Sequence, residues 1–456
     1  MNLLISLTAL GVVAMFGGIL KFRSMVMPLS VLGLIGASLL GVYAWNTNQS
    51  FLNDMMRMDN YAIAFSIVCM AGALLTILFF HFFHSENETH YAEAVALMLF
   101  AVAGCVVMVS FTNLLMLFLG IEILSLSLYV LAGLRKKDLL SNESSLKYFL
   151  MGAFSTGFLL FGIALLYGAT GSFATTQIAY QLGIAGMNGM AAMGLLLLMI
   201  GLLFKVAAVP FQFWTPDVYQ GAPTIVTAFM ATVGKVAAFA AFLRLFQLCF
   251  APSKEGYQLV IGTVAAITML AGNIMAIYQS STKRMLAYSS IAHAGYMLIA
   301  VMTLNASSNG SILFYSVAYT LASISSFLIV MIVQQNRNND TADDFNGLGK
   351  TNPWIAFTLA VSMLSLSGIP ATAGFFGKFY VFSSAVSDGF IWIVAVAVIS
   401  SFISIYYYFR PVIAAYSKQT HDPVMTMPPG TQALLILLSL LTILLGILPG
   451  FIAGMI

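Results

Sequence analysis

The chain of 456 residues alternates long apolar runs with short polar links. An α-helix needs about 20 predominantly apolar residues to cross a bilayer, and fourteen runs come close to or exceed this length. The pattern therefore predicts an all-α polytopic membrane protein with about 14 transmembrane helices. The predicted spans, numbered in chain order, cover residues 2–20, 26–45, 61–83, 91–109, 112–133, 145–168, 188–213, 223–248, 257–279, 284–304, 309–334, 353–384, 388–410 and 430–453.

Composition supports this reading and excludes several kinds of site. Hydrophobic residues make up 61% of the chain and charged residues only 7%, whereas soluble domains carry about 25% charged residues. Cys69, Cys105 and Cys249 lie in separate apolar runs, without the spacing of metal ligands. No glycine-rich nucleotide loop is present in a suitable context. We therefore expect no metal site, no cofactor site and no nucleic-acid partner.

The distribution of lysine and arginine predicts the orientation, because cytoplasmic links are enriched in these residues. Twelve of the 18 lie after odd-numbered spans and three after even-numbered spans. The odd-numbered links are thus predicted to face the cytoplasm, with both termini on the other side. The twelve are Lys21, Arg23, Arg135, Lys136, Lys137, Lys147, Lys283, Arg284, Arg337, Lys350, Arg410 and Lys418, and the three are Arg57, Arg244 and Lys254.

Five ionisable residues stand deep inside predicted spans. They are Glu122 in span 5, Lys205 in span 7, Lys235 in span 8, His293 in span 10 and Lys378 in span 12. A charge at the centre of a membrane helix costs roughly 2.5–3.5 kcal/mol on insertion scales, and such residues commonly mark proton or ion pathways. We therefore predict that these five residues transfer protons.

Two of the lysines lie beside prolines that should interrupt their helices. Pro210 follows Lys205 by five residues and has no N–H to donate to the carbonyl of Val206. Pro370 precedes Lys378 by eight residues. Irregular backbone at membrane depth is tolerated only where it is buried in protein or lines a cavity. Each break should therefore place polar backbone groups, and room for water, beside an amine.

The positions of the breaks predict an internal repeat. Spans 7 and 12 are five spans apart, an odd number, so the two units must cross the membrane in opposite directions. We predict two inverted five-helix repeats, spans 4–8 in residues 91–250 and spans 9–13 in residues 251–412, a plan common among transporters. Residues 1–90 would hold spans 1–3, and residues 413–456 would hold span 14. Glu122 in span 5 then corresponds to His293 in span 10.

Structural roles are the alternative for the same residues. Glu122 and Lys205 could form an ion pair that joins two helices, although buried ion pairs are expensive and often replaceable by apolar packing. His293 could be a core histidine satisfied by its neighbours Tyr288, Ser289 and Ser290.

Three further features have less specific readings. Lys147, near a cytoplasmic helix end, is expected to extend its amine toward the polar interface. Asp217 could cap span 8 or guard an entrance. Tyr406, Tyr407 and Tyr408 are expected to form an interfacial aromatic belt.

Five stretches carry a specific combination of motifs: GIEILSLSLYVLAG, SLKYFLMGAFSTGFLLFG, KVAAVPFQFWTPDVYQGAPTIVTAFMATVGK, KRMLAYSSIAHAGY and LSGIPATAGFFGKFY. Together they resemble the antiporter-like membrane subunits of bacterial NADH:quinone oxidoreductase, respiratory complex I, over about residues 90–385. A lysine at position 378 is typical of two of these subunits, and the longer of the two ends in a lateral helix that this chain lacks. The resemblance therefore points to the shorter one.

The resemblance implies a role for each buried residue. Glu122 would modulate Lys205, which would take up and release the pumped proton. Lys235 would connect the two halves, and Lys378 would stand near the exit. The chain departs from the wider family at Gln212, where histidine is common, and at Gln220, where glutamate is frequent. Glutamine cannot change its protonation state, so water or another residue would have to carry the proton there.

The resemblance also implies an environment. The chain would lie in the bacterial cytoplasmic membrane, with the lipid bilayer, protons and the other membrane subunits of complex I as partners. NADH, FMN, iron–sulfur clusters and quinone would bind other subunits, with no cofactor in this chain. Two alternatives remain at this stage: a subunit of a multi-subunit sodium/proton antiporter or membrane-bound hydrogenase, and a structural arm that only tethers other subunits.

Overall fold

The computed structural model describes residues 1–20, 22–84, 90–417 and 423–455. Lys21 and Lys418, which contribute to the predicted charge bias, lie outside the described residues. Helices form nearly all of the regular structure. They are α1 Asn2–Ile19, α2 Arg23–Tyr43, α3 Asn60–Phe83, α4 Tyr91–Ser110, α5 Leu114–Ala132, α6 Leu139–Thr170, α7 Thr175–Ala185, α8 Gly189–Val206, α9 Trp214–Gly221, α10 Thr224–Phe229, α11 Lys235–Leu245, α12 Lys254–Ile277, α13 Thr282–Thr303, α14 Ser308–Arg337, α15 Leu348–Thr351, α16 Pro353–Ser367, α17 Ala373–Ser387, α18 Ile391–Ser417, α19 Thr431–Ile447 and α20 Gly450–Ala453.

Shorter elements complete the chain. The π-helical segments Met230–Gly234 and Phe246–Phe250 flank α11, and 3₁₀ turns cover Ala251–Ser253 and Ala342–Phe345. Strands β1 Gln49–Phe51 and β2 Met56–Met58 form an antiparallel hairpin with Gln49 opposite Met58. The hairpin, α7 and α9 all occupy links that the apolar pattern left without regular structure.

Eleven helical runs in the described part of the chain are long and apolar enough to cross a membrane. One of them, Thr224–Ile277, covers predicted spans 8 and 9. The rings of Phe246 and Tyr257 lie 4.6 Å apart within it. Eleven residues of straight helix would extend about 16.5 Å, so the chain reverses between these two rings. Spans 12 and 14 correspond to shorter apolar helices. The all-α membrane architecture is confirmed, and the count of fourteen crossings stays a prediction.

Both predicted helix breaks are present, since α8 ends at Val206 and α16 ends at Ser367. Each helix closes with a Schellman motif, in which a left-handed residue follows the helix and the next N–H bonds back five residues. The left-handed residues are Ala207, at φ +62°, and Gly368, at φ +83°; the five-residue bonds run from Ala208 to Leu203 and from Ile369 to Leu364.

Polar residues set the beginning of several helices. A helix leaves its first four N–H groups without partners inside the helix, and a short polar side chain at the N-cap can accept one of them. In the described part of the chain, five α-helices begin in this way. The capping residues are Asp59 for α3, Asn113 for α5, Asp138 for α6, Asn188 for α8 and Ser281 for α13.

Glycines allow several helix pairs to approach at backbone distance. α4 and α5 meet at Gly104 and Gly120, where a Cβ added to Gly104 would lie 2.7 Å from the backbone nitrogen of Leu124. α12 and α13 meet at Gly272, where an added Cβ would lie 2.6 Å from the backbone nitrogen of Ala292. Small residues are the usual means of close helix packing in membranes, and no larger side chain fits at these contacts.

Two helices form the centre of the molecule. In α13 and in α14, 94% of the residues in the most apolar stretch of 18 are buried, against 28% in α1 and in α2. α1 and α2 therefore lie at the periphery of the subunit. Polar side chains on α13 and α14 are the ones that the fold removes most completely from lipid.

Candidate functional site

Lys205 stands in the last turn of α8 and reaches the face of α5 that carries Glu122. Its Nζ donates a hydrogen bond to Oγ of Ser125, which follows Glu122 by three residues and shares its helix face. The same Nζ lies 5.6 Å from the centroid of the Tyr129 ring, one turn further along α5. The structure thus brings the two residues predicted to work together onto one contact between helices.

Glu122 makes no ion pair with Lys205 or with any other described residue. Its Oε1 atom is buried and has no hydrogen-bond partner. A buried acceptor without a partner costs free energy comparable to a lost hydrogen bond. The helix-joining ion pair that a purely structural role requires is therefore missing. Oε1 of Gln212, in the break after α8, is also buried and has no partner among the described residues.

Lys235 is the first residue of α11 and directly follows a π-helical segment. Its side chain is buried, and its Nζ donates to the carbonyl of Ser290 at 2.6 Å and to Oγ of Ser290 at 2.5 Å. The hydroxyl of Tyr319 donates to the same Oγ at 2.9 Å. Both partners belong to the two most enclosed helices, α13 and α14.

His293 is held through both ring nitrogens. Nδ1 lies 2.7 Å from the hydroxyl of Tyr315, and Nε2 lies 3.1 Å from the hydroxyl of Tyr408. The Tyr408 hydroxyl also bonds Oγ of Ser289 at 2.5 Å. The alternative that the sequence neighbours Tyr288, Ser289 and Ser290 satisfy this histidine is wrong in its partners, because the two bonded tyrosines come from α14 and α18.

The predicted aromatic belt at Tyr406, Tyr407 and Tyr408 is wrong for two of its three members. Tyr406 is 62% exposed, but Tyr407 and Tyr408 are each only 1% exposed. Consecutive helical residues point in directions about 100° apart, so three in a row cannot share one lipid-facing side. Tyr407 turns inward and donates a hydrogen bond of 2.6 Å to Oδ1 of Asn273.

Lys378 lies on α17 and turns back toward the end of α16. Its buried Nζ donates to the carbonyl of Ser367 at 2.8 Å and to Oγ of Ser401 at 2.7 Å. It also lies 4.8 Å from the centroid of the Tyr296 ring. The free carbonyls and the negative end of the dipole at a helix C-terminus favour a cation. The break after α16 thus supplies one acceptor for this amine, and Ser401 of α18 supplies the other.

A charged cluster joins α6, α9 and α13 at the polar end of the first site. The two carboxylate oxygens of Asp217 accept hydrogen bonds of 3.0 Å from Lys147 and from Arg284. Glu143 also pairs with Lys147, at 2.7 Å. Partial burial acts to raise the pKa of Asp217, but the hydrogen bonds from Lys147 and Arg284 outweigh it, and the pKa is lowered. Asp217 lies within α9 and does not cap α10.

The sequence predicts Lys283 to be an ordinary charged residue of a polar link, but its side chain is only 4% exposed. Its Nζ donates to the carbonyls of Gln220 and Ala222, at 3.1 and 2.6 Å. It thereby fastens the end of α9 to α13. No pattern in the sequence distinguished it from its neighbour Arg284.

Among the described residues, no group of three or more histidine, cysteine, aspartate or glutamate side chains is placed to hold a metal ion. Cys69, Cys105 and Cys249 are buried free thiols. The chemistry that the site offers is therefore that of amines, imidazole, carboxylate and hydroxyl groups, all of which exchange protons.

Comparison with known proteins agrees with this arrangement. Residues 112–404 match the family described as NADH:quinone oxidoreductase/Mrp antiporter, TM. NADH-quinone oxidoreductase subunit N of Flavobacterium johnsoniae is 42% identical over 459 residues, with 99% of each chain covered. The protein of the same name from Cytophaga hutchinsonii is 42% identical over 455 residues, with 98% of each chain covered. A chain of respiratory complex I from Thermus thermophilus superposes with a TM-score of 0.86 at 34% identity, covering 99% of this chain and 98% of that one.

The fold and the buried charges define a multi-pass, antiporter-like membrane subunit of the complex I type. More particularly, the chain belongs to the NADH-quinone oxidoreductase subunit N family, because relatives with that name match it over nearly its full length. The resemblance drawn from the motifs is thus confirmed.

Proposed function

We propose that this chain is a proton-translocating membrane subunit of NADH:quinone oxidoreductase, in which Glu122, Lys205, Lys235, His293 and Lys378 carry the proton. The observation that carries the proposal is that hydroxyl and carbonyl groups surround the three lysines and the histidine. None of the four is paired with a carboxylate in the described part of the chain. Burial disfavours the charged form of an amine or imidazole, so groups without a fixed counter-ion are suited to giving up and regaining a proton.

The proposed driving step is electrostatic. An ion pair at about 4 Å is worth about 4 kcal/mol at an effective dielectric constant of about 20. Approach of the Glu122 carboxylate would therefore favour the ammonium form of Lys205, and separation would favour release. The unpaired Oε1 of Glu122 and the bond from Lys205 to Ser125 correspond to the separated state.

Three correspondences support the proposed inverted repeats, residues 91–250 and 251–412. Both broken helices, α8 and α16, end in the same Schellman motif. The glycine contact between α4 and α5 recurs between α12 and α13. Isolated β-bridges pair Asn113 with Ala174 and Ser281 with Thr341. Asn113 caps α5, and its bridge partner Ala174 lies in the link after α6. Ser281 caps α13, and its bridge partner Thr341 lies in the link after α14. The two bridges therefore occupy equivalent places in two units that are five spans apart.

We further propose that the chain lies in the bacterial cytoplasmic membrane with both termini on the outer side. The cluster of Lys147, Asp217 and Arg284 would then face the cytoplasm, where protons enter. Because the chain corresponds to one membrane subunit, NADH, FMN, iron–sulfur clusters and quinone are proposed to bind elsewhere in the complex.

Replacing Lys205 by methionine tests the proposed function. Methionine keeps an unbranched side chain of similar length and removes the amine. Loss of a positioned proton carrier slows transfer by roughly 10²–10⁴-fold, so pumping through this chain should disappear. Assembly should persist, since the side chain gives up one hydrogen bond and no ion pair.

The measurement is proton uptake per NADH oxidised in sealed vesicles, at equal content of assembled complex. Lys136→Met, at an exposed lysine, is the matched control and should pump like the wild type. An assembled Lys205→Met complex with wild-type proton uptake per NADH would overturn the proposal.

A further inference from the structure

Two tyrosines of α14 lie between Lys235 and His293. Tyr319 donates a hydrogen bond of 2.9 Å to Oγ of Ser290, the same oxygen that accepts from Nζ of Lys235 at 2.5 Å. Tyr315 bonds Nδ1 of His293 at 2.7 Å. Residues four apart on a helix are neighbours on one face. Tyr319, which bonds Ser290, and Tyr315, which bonds His293, therefore stand one turn apart.

Both tyrosines line one small cavity. The space open to a water-sized sphere is about 10 Å³, close to the minimum that holds one water molecule. His293 lines it too, and the broken pair α16 and α17 contributes Ser365 and Gly377. A Cβ added to Gly377 would lie 3.3 Å from Cδ2 of Tyr315, so the glycine keeps this wall open. A water molecule here would have the several polar partners that a buried water requires.

We propose that Tyr319 and Tyr315 relay protons between Lys235 and His293, with one water molecule in the cavity joining their hydroxyls. The inference rests on the proposed function and deepens it by naming the groups that connect two of its carriers. Ser290 belongs to the relay on the lysine side.

Each transfer conserves protons at every intermediate group. The Tyr319 hydroxyl, which donates to Ser290 in the structure, first rotates its hydrogen toward the water. A proton then passes from Nζ of Lys235 to Oγ of Ser290, whose own proton passes to the oxygen of Tyr319. The original proton of Tyr319 passes to the water, and the water gives one proton to Tyr315. The original proton of Tyr315 then binds Nδ1 of His293. Lys235 ends neutral and the imidazole ends protonated, while each hydroxyl regains its proton. Hydroxyl hydrogens can rotate toward a new partner, and this rotation returns the relay groups to their starting orientation.

His293 can also pass a proton on to Tyr408, which is bonded to its Nε2. A neutral imidazole accepts at one ring nitrogen and donates at the other. A proton received at Nδ1 of His293, on the Tyr315 side, can therefore be matched by one released from Nε2 toward Tyr408. The Tyr408 hydroxyl is bonded in turn to Oγ of Ser289 at 2.5 Å, so it has an acceptor for its own proton.

The test removes one hydroxyl at a time. In Tyr319→Phe and in Tyr315→Phe, proton uptake per NADH should show most of the fall that Lys235→Met causes. The double variant should be no worse than either single variant, because both hydroxyls lie in series on one route. Tyr257→Phe is the matched control: Tyr257 is 2% exposed, and its buried hydroxyl has no partner among the described residues. This control should pump like the wild type.

The outcomes separate the relay from the proposed function and from simple damage. Wild-type pumping by both phenylalanine variants beside a defective Lys235→Met would overturn the relay alone. Wild-type pumping by Lys235→Met would overturn the role proposed for that lysine. Independent packing defects add, so a double variant clearly worse than both singles would also overturn the series arrangement.

A variant that keeps both hydroxyls tests the water. Gly377→Ala places a methyl group against Tyr315 and narrows the cavity. We expect it to lower proton uptake per NADH at equal content of assembled complex. Wild-type proton uptake by Gly377→Ala would overturn the water-mediated step. This variant can be measured even if a phenylalanine variant fails to assemble.

Discussion

At the scale of single residues, the buried cations fall into two kinds. Arg244 and Lys235 are each 3% exposed. Arg244 pairs with Asp59 at 2.9 Å, whereas Lys235 contacts only neutral oxygens of Ser290 among the described residues. Arginine keeps its charge at any physiological pH, so a permanent counter-ion suits it. The neutral surroundings of Lys235 suit a group that must alternate between its protonated and neutral forms.

The unpartnered Oε1 of Glu122 leads to a residue-scale prediction. Glu122→Gln should leave assembly unchanged, because Oε1 makes no hydrogen bond that the substitution could remove. Proton uptake per NADH should nevertheless fall nearly as far as in Lys205→Met, because the charge that favours the ammonium is gone. Glu122→Asp keeps the charge and should retain part of the activity. Normal pumping by an assembled Glu122→Gln complex would contradict the electrostatic step.

Lys378 allows a test of alternating charge. Arginine preserves a cation but cannot release its proton. We expect Lys378→Arg to assemble and to reduce proton uptake per NADH nearly as much as Lys378→Met. The vesicle assay, with and without added sodium, measures this effect. If Lys378→Arg pumps like the wild type, the site needs only a fixed positive charge and Lys378 is not a carrier.

At the scale of elements, the helix breaks position the amines. Lys205 lies in the last turn of α8, inside the Schellman motif that the bond from Ala208 to Leu203 closes. Lys378 binds the carbonyl of Ser367, the last residue of α16. In a continuous helix, the carbonyl of Ser367 would accept a hydrogen bond from the helix itself. The second break thus makes a backbone carbonyl available to the ammonium group of Lys378, whereas Lys205 donates to a side chain, Oγ of Ser125.

Gly368 tests the importance of the second break. Its φ of +83° is a left-handed conformation, which costs a residue with a Cβ about 1–2 kcal/mol. A Cβ here would also lie 2.8 Å from Cδ of Lys378. We expect Gly368→Ala to lower the thermal unfolding midpoint of the purified complex and to reduce pumping. Gly36→Ala, in α2 with ordinary φ and open space around the new Cβ, should do neither. Equal behaviour of the two variants would contradict this account.

At the scale of the whole molecule, His293 and the proposed relay between it and Lys235 lie on the best-protected helices. α13 and α14 provide His293, Ser290, Tyr315 and Tyr319, and both helices are almost fully enclosed by the rest of the chain. Burial excludes bulk water, so a proton can cross this region only through defined groups. The peripheral helices α1 and α2 take no part in these contacts.

The predicted orientation is a property of the entire chain. Cysteines introduced at Lys137, after α5, and at Glu255, at the beginning of α12, should react with a membrane-impermeant reagent from opposite sides. Both positions are exposed, and the native Cys69, Cys105 and Cys249 are fully buried and should stay unreactive. Reaction of both introduced cysteines from the same side would contradict the orientation predicted from the lysine and arginine bias.

The sequence by itself determined the membrane class, the internal charges and both helix breaks. These features are local: about 20 apolar residues span a bilayer, a charge among them is costly, and proline interrupts its own helix. The combination of motifs was likewise sufficient to indicate the family.

Only the tertiary structure decided which groups meet. The tyrosines bonded to His293 are 22 and 115 residues away from it in the chain. The sequence placed Tyr408 at the surface and treated Lys283 as a link charge, whereas both are buried. Lipid and protein core are equally apolar, so hydrophobic periodicity does not mark the inward face of a membrane helix. That face is set by the packing of each helix against its neighbours.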